Sequence, residues 1–170
     1  MDGYKKLIHI ISRVLCVAVI AVFFAHYFGR SVIFTGSSMA PVIKNTDVVL
    51  INSLTYRLSS PDRYDCIAFT RDTGTGIKRI VGLPGETVSI EDGYIYINGV
   101  KTEYYKEPIS AAGDAVYGVT VPEGCYFVIG DSPSFSLDSR YNEFGFVSKN
   151  DILGKVWFTI YPVRDLGPVK

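Results

Sequence analysis

Histidine is nearly absent from this chain of 170 residues. Its two histidines, His9 and His26, lie in or beside an apolar N-terminal stretch, and none follows them. This absence excludes a serine–histidine catalytic pair from the rest of the chain. It also disfavours a zinc site, which histidine commonly helps to bind. Any serine nucleophile must therefore use another base, and we expect no metal and no other cofactor.

The chain also has few cysteines and no excess of basic over acidic residues. Besides Cys16 in the apolar stretch, the chain has Cys66 and Cys125, which stand at no diagnostic spacing. They allow a disulfide or two separate core thiols, and we favour the thiols. Lysine plus arginine equal aspartate plus glutamate, at 17 each. The chain therefore has no basic excess of the kind that a nucleic-acid-binding surface needs.

The apolar stretch from Leu7 to Phe28 is long enough to cross a bilayer, which takes roughly 20 residues. A cleavable signal peptide and a buried amphipathic helix are the alternatives. We favour a membrane anchor, because Ala25-His26-Tyr27 is a poor site for signal-peptide cleavage. We assign residues 1–30 to the cytoplasmic N-terminus and anchor, and residues 31–170 to one outer domain.

Basic residues set the expected orientation of that anchor. Lys5, Lys6 and Arg13 precede or open the span, whereas Arg30 follows it closely. By the positive-inside rule, the N-terminus lies in the cytoplasm. We therefore expect a single-pass protein of the cell membrane with its main domain outside.

Beyond the anchor, short runs of Val, Ile, Tyr and Phe alternate with turn residues, which predicts many strands and little helix. The clearest runs are Asp47–Ile51, Cys66–Phe69, Thr87–Ile90, Tyr94–Ile97 and Tyr126–Ile129. Asn98-Gly99 predicts a two-residue hairpin, and Asp92-Gly93 predicts another turn. Ser110–Gly118 is predicted to be an exposed loop. We expect a mainly β fold, with an antiparallel, barrel-like domain on one transmembrane helix.

Lysine is the base that the outer domain offers in place of histidine. A neutral lysine amine can take the proton of a serine hydroxyl, provided that burial or a neighbouring cation lowers its pKa. Lys78 has the apolar neighbours Ile77, Ile80 and Val81. Alternation along a strand would direct Arg79 to the opposite face. Burial is therefore the expected cause of a lowered pKa at Lys78.

Three motifs occur in order along the chain. They are Gly36-Ser37-Ser38-Met39-Ala40-Pro41, Lys78-Arg79-Ile80-Val81-Gly82-Leu83-Pro84-Gly85-Glu86 and Gly130-Asp131-Ser132-Pro133-Ser134-Phe135-Ser136-Leu137-Asp138-Ser139-Arg140. Together they resemble the motif boxes of bacterial type I signal peptidases, particularly the Gram-positive members. The resemblance implies a membrane-anchored serine endopeptidase that removes N-terminal signal peptides from exported preproteins and cuts after small residues.

Position by position, the resemblance implies that Ser38 is the nucleophile and Lys78 the general base. Ser136 would hydrogen-bond the lysine amine, while Asp138 and Arg140 would support it. Two residues apart on an extended segment, Asp138 and Arg140 share a face with Ser136. An ordinary surface ion pair between Asp138 and Arg140 is the alternative.

Two departures from the family pattern stand out. Gly36 occupies the place of a serine or threonine whose hydroxyl helps bind the oxyanion in some members. Backbone N–H groups alone, notably that of Ser38, would then bind the oxyanion. Ser132-Pro133-Ser134-Phe135 replaces the common Asn-Arg-x-Asn, so the approach to the Ser136 loop is expected to differ.

In the family, the preprotein adds as an extended strand beside the nucleophile and the lysine, so alternate side chains enter small apolar pockets. The candidate lining residues, each of which could instead belong to the core, are Val32, Phe34, Met39 and Ile77. The expected partners are preprotein signal peptides and membrane lipid, with no nucleic acid, and we expect a monomer.

Other protein classes fit less well. A membrane-tethered, non-catalytic β domain that binds extracellular partners would use the serines only in caps and turns. A self-cleaving repressor protease would need a cleavage segment and usually a DNA-binding domain, and neither is evident before Ser38. A penicillin-recognising enzyme would need lysine three residues after its serine, where this chain has Pro41.

Overall fold

A computed structural model describes residues 2–72, 74–105 and 107–169. Helix α1 (Asp2–Phe28) contains the predicted apolar stretch. Its segment Tyr4–Phe28 is long and apolar enough to cross a membrane, and its most apolar part is not buried in the protein. This N-terminal helix fits a membrane anchor, because its apolar side chains are free to contact lipid.

Two antiparallel sheets follow α1 in the described residues, with a short helix α2 (Thr55–Leu58) beside them. In chain order the strands are β1 (Arg30–Ile33), β2 (Val48–Asn52), β3 (Cys66–Arg71), β4 (Gly74–Gly82), β5 (Thr87–Glu91), β6 (Tyr94–Ile97), β7 (Val100–Lys101), β8 (Val119–Thr120), β9 (Cys125–Ile129), β10 (Val147–Ser148), β11 (Ile152–Tyr161) and β12 (Gly167–Pro168). The prediction of a mainly β fold is confirmed.

The larger sheet has the strand order β1-β2-β11-β3-β4-β9-β10, with β12 on β11. The smaller sheet has the order β7-β6-β5-β8. Within the described residues β1 and β10 are the unjoined ends of the larger sheet, so it stays open and is barrel-like only in a loose sense. Strand β4 is central, because β3 and β9 pair with its two edges.

The predicted hairpin joins β6 and β7. Asn98 and Gly99 have φ angles of 51° and 79°, which are the positive values that a type I′ turn requires at both central residues. The register places Ile97 opposite Val100. Each of the five predicted strand runs overlaps an observed strand, so these local predictions are confirmed.

The prediction that Ser110–Gly118 is simply an exposed loop is wrong in part. Gly113–Tyr117 forms a 3-10 helix, and Ala115 within it is fully buried. The small apolar side chain of Ala115 fits the core between the two sheets. The Asp114 N–H also donates to the Arg140 carbonyl at 2.7 Å, so this segment supports the region of the third motif.

Strand β4 contributes to all three parts of the core. Ile77 packs with residues of β1, β2 and β3, Ile80 packs with β9 on another side, and Val81 packs under the smaller sheet. Because its residues from Ile77 to Gly82 are all buried, β4 is held rigidly. A side chain on it is therefore fixed relative to both sheets.

The cysteines are free thiols. Cys66 is buried in the core and Cys125 is half-buried. Burial raises the pKa of the Cys66 thiol to about 12, because it disfavours the thiolate. The preference for separate thiols is confirmed, and Cys66 behaves as an inert core residue.

Candidate active site

Lys78 lies within β4, opposite Ile67 of β3. Its side chain is only 7% exposed, and its Nζ lies 3.0 Å from the Ser136 hydroxyl oxygen. Ser136 belongs to the loop that follows β9, 58 residues further along the chain. The fold therefore joins the second and third motifs at one buried hydrogen bond.

Burial lowers the pKa of the Lys78 amine from 10.5 to about 8, because the protein interior does not hydrate an ammonium group. The Asp138 carboxylate opposes this shift and the Arg140 guanidinium adds to it. The expectation that burial is the main cause is confirmed. About a tenth of the amine is thus uncharged at pH 7, and about half at pH 8, with a lone pair available.

The Ser136 hydroxyl uses its proton in a hydrogen bond to Asp138. It donates to Asp138 Oδ2 at 2.5 Å, and the same carboxylate oxygen accepts the Gly130 N–H at 3.1 Å. A hydroxyl has a single proton to donate, so Ser136 can only accept from Lys78. This directs one N–H of the amine toward Ser136 and leaves the lone pair of a neutral amine to point elsewhere.

Arg140 fixes the position of the Asp138 carboxylate. Neither side chain has exposed surface, and Arg140 Nε donates to Asp138 Oδ1 at 2.7 Å. The guanidinium also donates to the carbonyls of Ala111, Pro133 and Ser136, at 2.7, 2.6 and 3.0 Å. The alternative of a surface ion pair is therefore wrong, because this pair is buried and hydrogen-bonded throughout.

Ser38 lies in a turn and its backbone is tied to the third motif. Its carbonyl accepts the Ser132 N–H at 2.9 Å. This contact uses only backbone atoms of Ser132, so the unusual Ser132-Pro133-Ser134-Phe135 sequence does not remove it. Among the described residues, the Ser38 hydroxyl makes no hydrogen bond, including to Lys78. The Ser38 N–H is also unbonded there.

Gly36 provides a backbone conformation that the turn needs, and it does not provide a hydrogen-bond donor for an oxyanion. Its φ angle of 118° lies in a region that favours glycine, and its N–H donates to Asn45 Oδ1 at 2.9 Å. The Gly36 N–H is thus already occupied. Of the backbone donors expected at an oxyanion site, the Ser38 N–H is the one that is available.

Gly130 is a residue that the sequence interpretation passed over. A Cβ at this position would lie 2.3 Å from the Ser38 carbonyl oxygen and 2.5 Å from the Ser136 Oγ. These distances are below any normal contact, so only glycine fits between the first and third motifs. The end of β9 thereby brings Ser38 and Ser136 close together.

The sequence interpretation also missed the ion pair between Arg79 and Asp131. Arg79 donates to both carboxylate oxygens of Asp131 at 2.6 Å, and its Nη1 donates to the Tyr64 carbonyl at 2.8 Å. Because Arg79 follows Lys78 on β4, its pair with Asp131 anchors the loop that holds Ser38 and Ser136. The sequence signal was a Gly-Asp dipeptide directly after a buried apolar strand.

The four candidate pocket residues lie together but differ in exposure. Phe34, Met39 and Ile77 belong to one core cluster, with exposed fractions of 6%, 0% and 2%. Val32 packs against that cluster and is partly exposed. Three of these residues thus form a buried layer behind the Ser38 turn, and Val32 alone of the four reaches the surface substantially.

Lys78 also borders open space. A cavity of about 380 Å³ is lined by Lys78 together with Arg71, Leu137 and Phe144, among others. The amine is therefore close to a volume that water can enter. Within the residues that the structure describes, no group of three or more histidine, cysteine, aspartate or glutamate side chains could hold a metal ion.

The fold and this buried lysine define a class of protein, the serine peptidases that use a lysine base instead of histidine. The family described as signal peptidase, peptidase S26, matches residues 7–161. The chain belongs to this family, and it is accordingly a serine peptidase.

Relatives in bacteria carry the corresponding name. Signal peptidase I of Bacillus caldolyticus is 36% identical over 143 residues, which cover 76% of this chain and 78% of the relative. Signal peptidase I S of Bacillus subtilis (strain 168) is 30% identical over 175 residues, covering 95% and 93%. A solved signal peptidase I from Enterococcus faecalis V583 is 38% identical, covers 58% of this chain and 97% of that one, and has a TM-score of 0.48. The predicted resemblance to Gram-positive members is confirmed.

The close approach at Gly130 predicts that Gly130→Ala disables the site. The added methyl group must displace the Ser38 carbonyl or Ser136, and a shift of about 1 Å at reacting groups can cost about 100-fold in rate. We expect peptidase activity on a preprotein to fall by about that factor. Gly167→Ala is the control, because a Cβ at Gly167 meets no atom within 4 Å. Equal activity of the two variants would contradict this geometry.

The burial of Lys78 predicts a stability cost. Between pH 8 and 10.5 the unfolded chain binds a proton that the folded chain has released, so folded stability rises with pH through that window. Below pH 8 the folded protein carries the full penalty, on the order of 3 kcal/mol. Lys78→Met should therefore raise the free energy of unfolding at pH 7, measured by denaturant titration in detergent.

The pH dependence distinguishes this effect from better packing of methionine. The stability advantage of Lys78→Met should shrink steadily as the pH rises from 8 toward 10.5. An advantage that stays constant across this range, or no advantage at pH 7, would contradict a lysine with a lowered pKa.

Proposed function

We propose that this chain is a membrane-anchored signal peptidase I in which Ser38 is the nucleophile and Lys78 is the general base. One observation carries the proposal: the Lys78 amine is buried, has a pKa of about 8 and is oriented by Ser136. A general base works best when its pKa lies near the working pH. An exposed lysine would be protonated and could not accept a proton.

Acylation is the first half of the proposed reaction. The Lys78 lone pair takes the proton of the Ser38 hydroxyl, and the Ser38 oxygen bonds to the carbonyl carbon of the scissile peptide. The Ser38 N–H donates to the oxyanion that forms on that carbonyl. The Lys78 ammonium then protonates the leaving amine, the peptide C–N bond breaks and an ester of Ser38 remains.

Hydrolysis of the ester completes the cycle. The neutral Lys78 amine takes a proton from water, and the hydroxide oxygen attacks the ester carbon. The Ser38 oxygen leaves and regains its proton from Lys78. The cavity beside Lys78 supports this step, because it gives water a place next to the amine.

Ser136, Asp138 and Arg140 act as positioning residues in this proposal. Asp138 holds the Ser136 proton, and Ser136 holds one N–H of Lys78, so the lone pair cannot rotate toward Ser136. Arg140 keeps the Asp138 carboxylate from turning. Gly36 places the turn so that the Ser38 N–H is free for the oxyanion.

The proposed substrates are the signal peptides of exported preproteins, cut after small residues. An extended segment beside the Ser38 turn and β4 would place alternate side chains against Val32 and over the buried layer of Phe34, Met39 and Ile77. Because three of these residues are already close-packed, little depth remains above them. Only small side chains would fit, which supports cleavage after small residues.

The proposed location follows from α1. Residues 1–30 would form the cytoplasmic N-terminus and anchor, and residues 31–170 the catalytic domain outside the cell membrane. The helix ends at Phe28 and β1 begins at Arg30, so the domain would sit directly on the bilayer. Exposed apolar side chains at Ile33, Tyr161 and Val163 support contact with lipid. We propose that the enzyme acts as a monomer.

The serine and the lysine are tested directly by Ser38→Ala and Lys78→Met in the full chain, with a purified preprotein in detergent. Each variant should lose more than about 1000-fold in kcat/KM, because the two groups act as one unit. The matched controls are Ser37→Ala, which removes the neighbouring hydroxyl, and Lys101→Met, which removes an exposed amine. Both should cleave at the unmutated rate.

The pH profile of the unmutated enzyme completes this test. Because the proton must leave Lys78 before catalysis, kcat/KM should rise with pH to a midpoint near 8 and fall about tenfold for each unit below it. Activity that is flat through the acidic range would overturn the lysine base. Cleavage by Ser38→Ala at the unmutated rate would instead favour a non-catalytic β domain contaminated by another peptidase.

A further inference from the structure

A second cavity, which shares no lining residue with the one beside Lys78, opens where α1 meets the β domain. It has a volume of about 750 Å³, and its wall includes Ala25, His26 and Gly29 from the end of α1. The opposite wall comes from the α2 region and from the residues before and at the start of β11. The cavity therefore lies beside the outer end of the apolar span.

Three cations line this cavity: Arg30, Arg57 and Lys149. All three are exposed, and no aspartate or glutamate is among the residues of the wall. Within the described part of the chain, none of the three forms an ion pair with a carboxylate. The Arg57 guanidinium lies over the Tyr27 ring at 5.4 Å, and Lys149 Nζ lies 3.4 Å from the Ser60 hydroxyl. The cavity thus concentrates positive charge that the described residues do not neutralise.

The cavity is held at a fixed height relative to the span. The Tyr27 carbonyl accepts the Ser53 N–H at 3.1 Å, which joins the last turn of α1 to the residue after β2. The Phe28 ring also packs edge-on against Trp157 at 6.2 Å. Tryptophan side chains are enriched at the headgroup level of a bilayer. The three cations are therefore placed where lipid phosphates lie.

We propose that this cavity, which we name the juxtamembrane pocket and define by Arg30, Arg57 and Lys149, binds the phosphate of an anionic phospholipid. A headgroup that carries its own ammonium group fits less well, because the wall supplies no carboxylate to pair with it. The inference rests on the proposed membrane anchoring by α1.

Lipid retention by the full chain tests the proposal. Native mass spectrometry of the detergent-solubilised protein measures how tightly phosphatidylglycerol and phosphatidylcholine of matched acyl chains are held. We expect phosphatidylglycerol to be preferred, with each cation contributing about fivefold. Arg30→Gln/Arg57→Gln/Lys149→Gln should abolish the preference. Lys44→Gln/Lys101→Gln/Arg164→Gln removes the same charge outside the pocket and should keep it.

Three further measurements guard against an unfolded variant, a contact that does not depend on charge and a wrong ligand. Arg30→Lys/Arg57→Lys retains the charges and should retain most of the preference. Salt at about 1 M, where the Debye length is about 3 Å, should weaken the preference of the unmutated protein. If soluble glycerol phosphate displaces the lipid as well as phosphatidylglycerol itself does, the site binds free phosphate and the proposal is overturned. An unchanged preference in the pocket variant overturns it too.

Failure of this inference is separable from failure of the proposed function. Lipid retention is measured without substrate, so Ser38→Ala should show the same preference for phosphatidylglycerol. Cleavage of a preprotein by the unmutated enzyme in detergent tests the peptidase independently of the lipid. Loss of the anchor would appear separately, as release of the unmutated chain from vesicles.

Discussion

The burial of the Lys78 amine against Ser136 is the constraint on which the rest of the site depends. An amine in water holds its proton at neutral pH, and a serine hydroxyl alone is a poor nucleophile. Burial within β4 lowers the pKa of the amine to about 8. The Asp138 carboxylate would reverse this effect if it paired with the amine directly. Ser136 stands between them and passes on a hydrogen bond without transferring the charge.

The two faces of β4 explain how distant parts of the chain are brought to one point. The Lys78 side chain contacts Ser136 from one face of β4, while Arg79 on the opposite face binds Asp131. The loop after β9 is thereby fixed from both sides, and its Ser132 N–H holds the Ser38 carbonyl. Gly130 allows the close approach. The mainly β scaffold therefore holds these side chains in fixed positions. Burying the Lys78 amine lowers the free energy of unfolding below pH 8.

Sequence alone predicted the apolar N-terminal helix and the strands, because each has a local signature, and the family resemblance supplied the expected members of the site. The absence of histidine after the apolar stretch pointed to lysine, and alternation along β4 separated Lys78 from Arg79. What sequence could not supply were properties that depend on packing between distant segments. The role of Gly130 arises only when Ser38 and Ser136 meet across it, and the buried turn at Ala115 appears only once both sheets enclose it. The prediction of an exposed loop at Ser110–Gly118 was wrong in part for that reason.

The most direct test of this account is the pKa of the Lys78 amine itself, measured by NMR titration of the full chain in detergent with isotope-labelled lysine. The Lys78→Met protein assigns the signal, since that signal alone should vanish. The account predicts a titration near pH 8. A titration near 10.5, the value of a solvated lysine, would contradict it, because the site would then hold a charged ammonium group and no base.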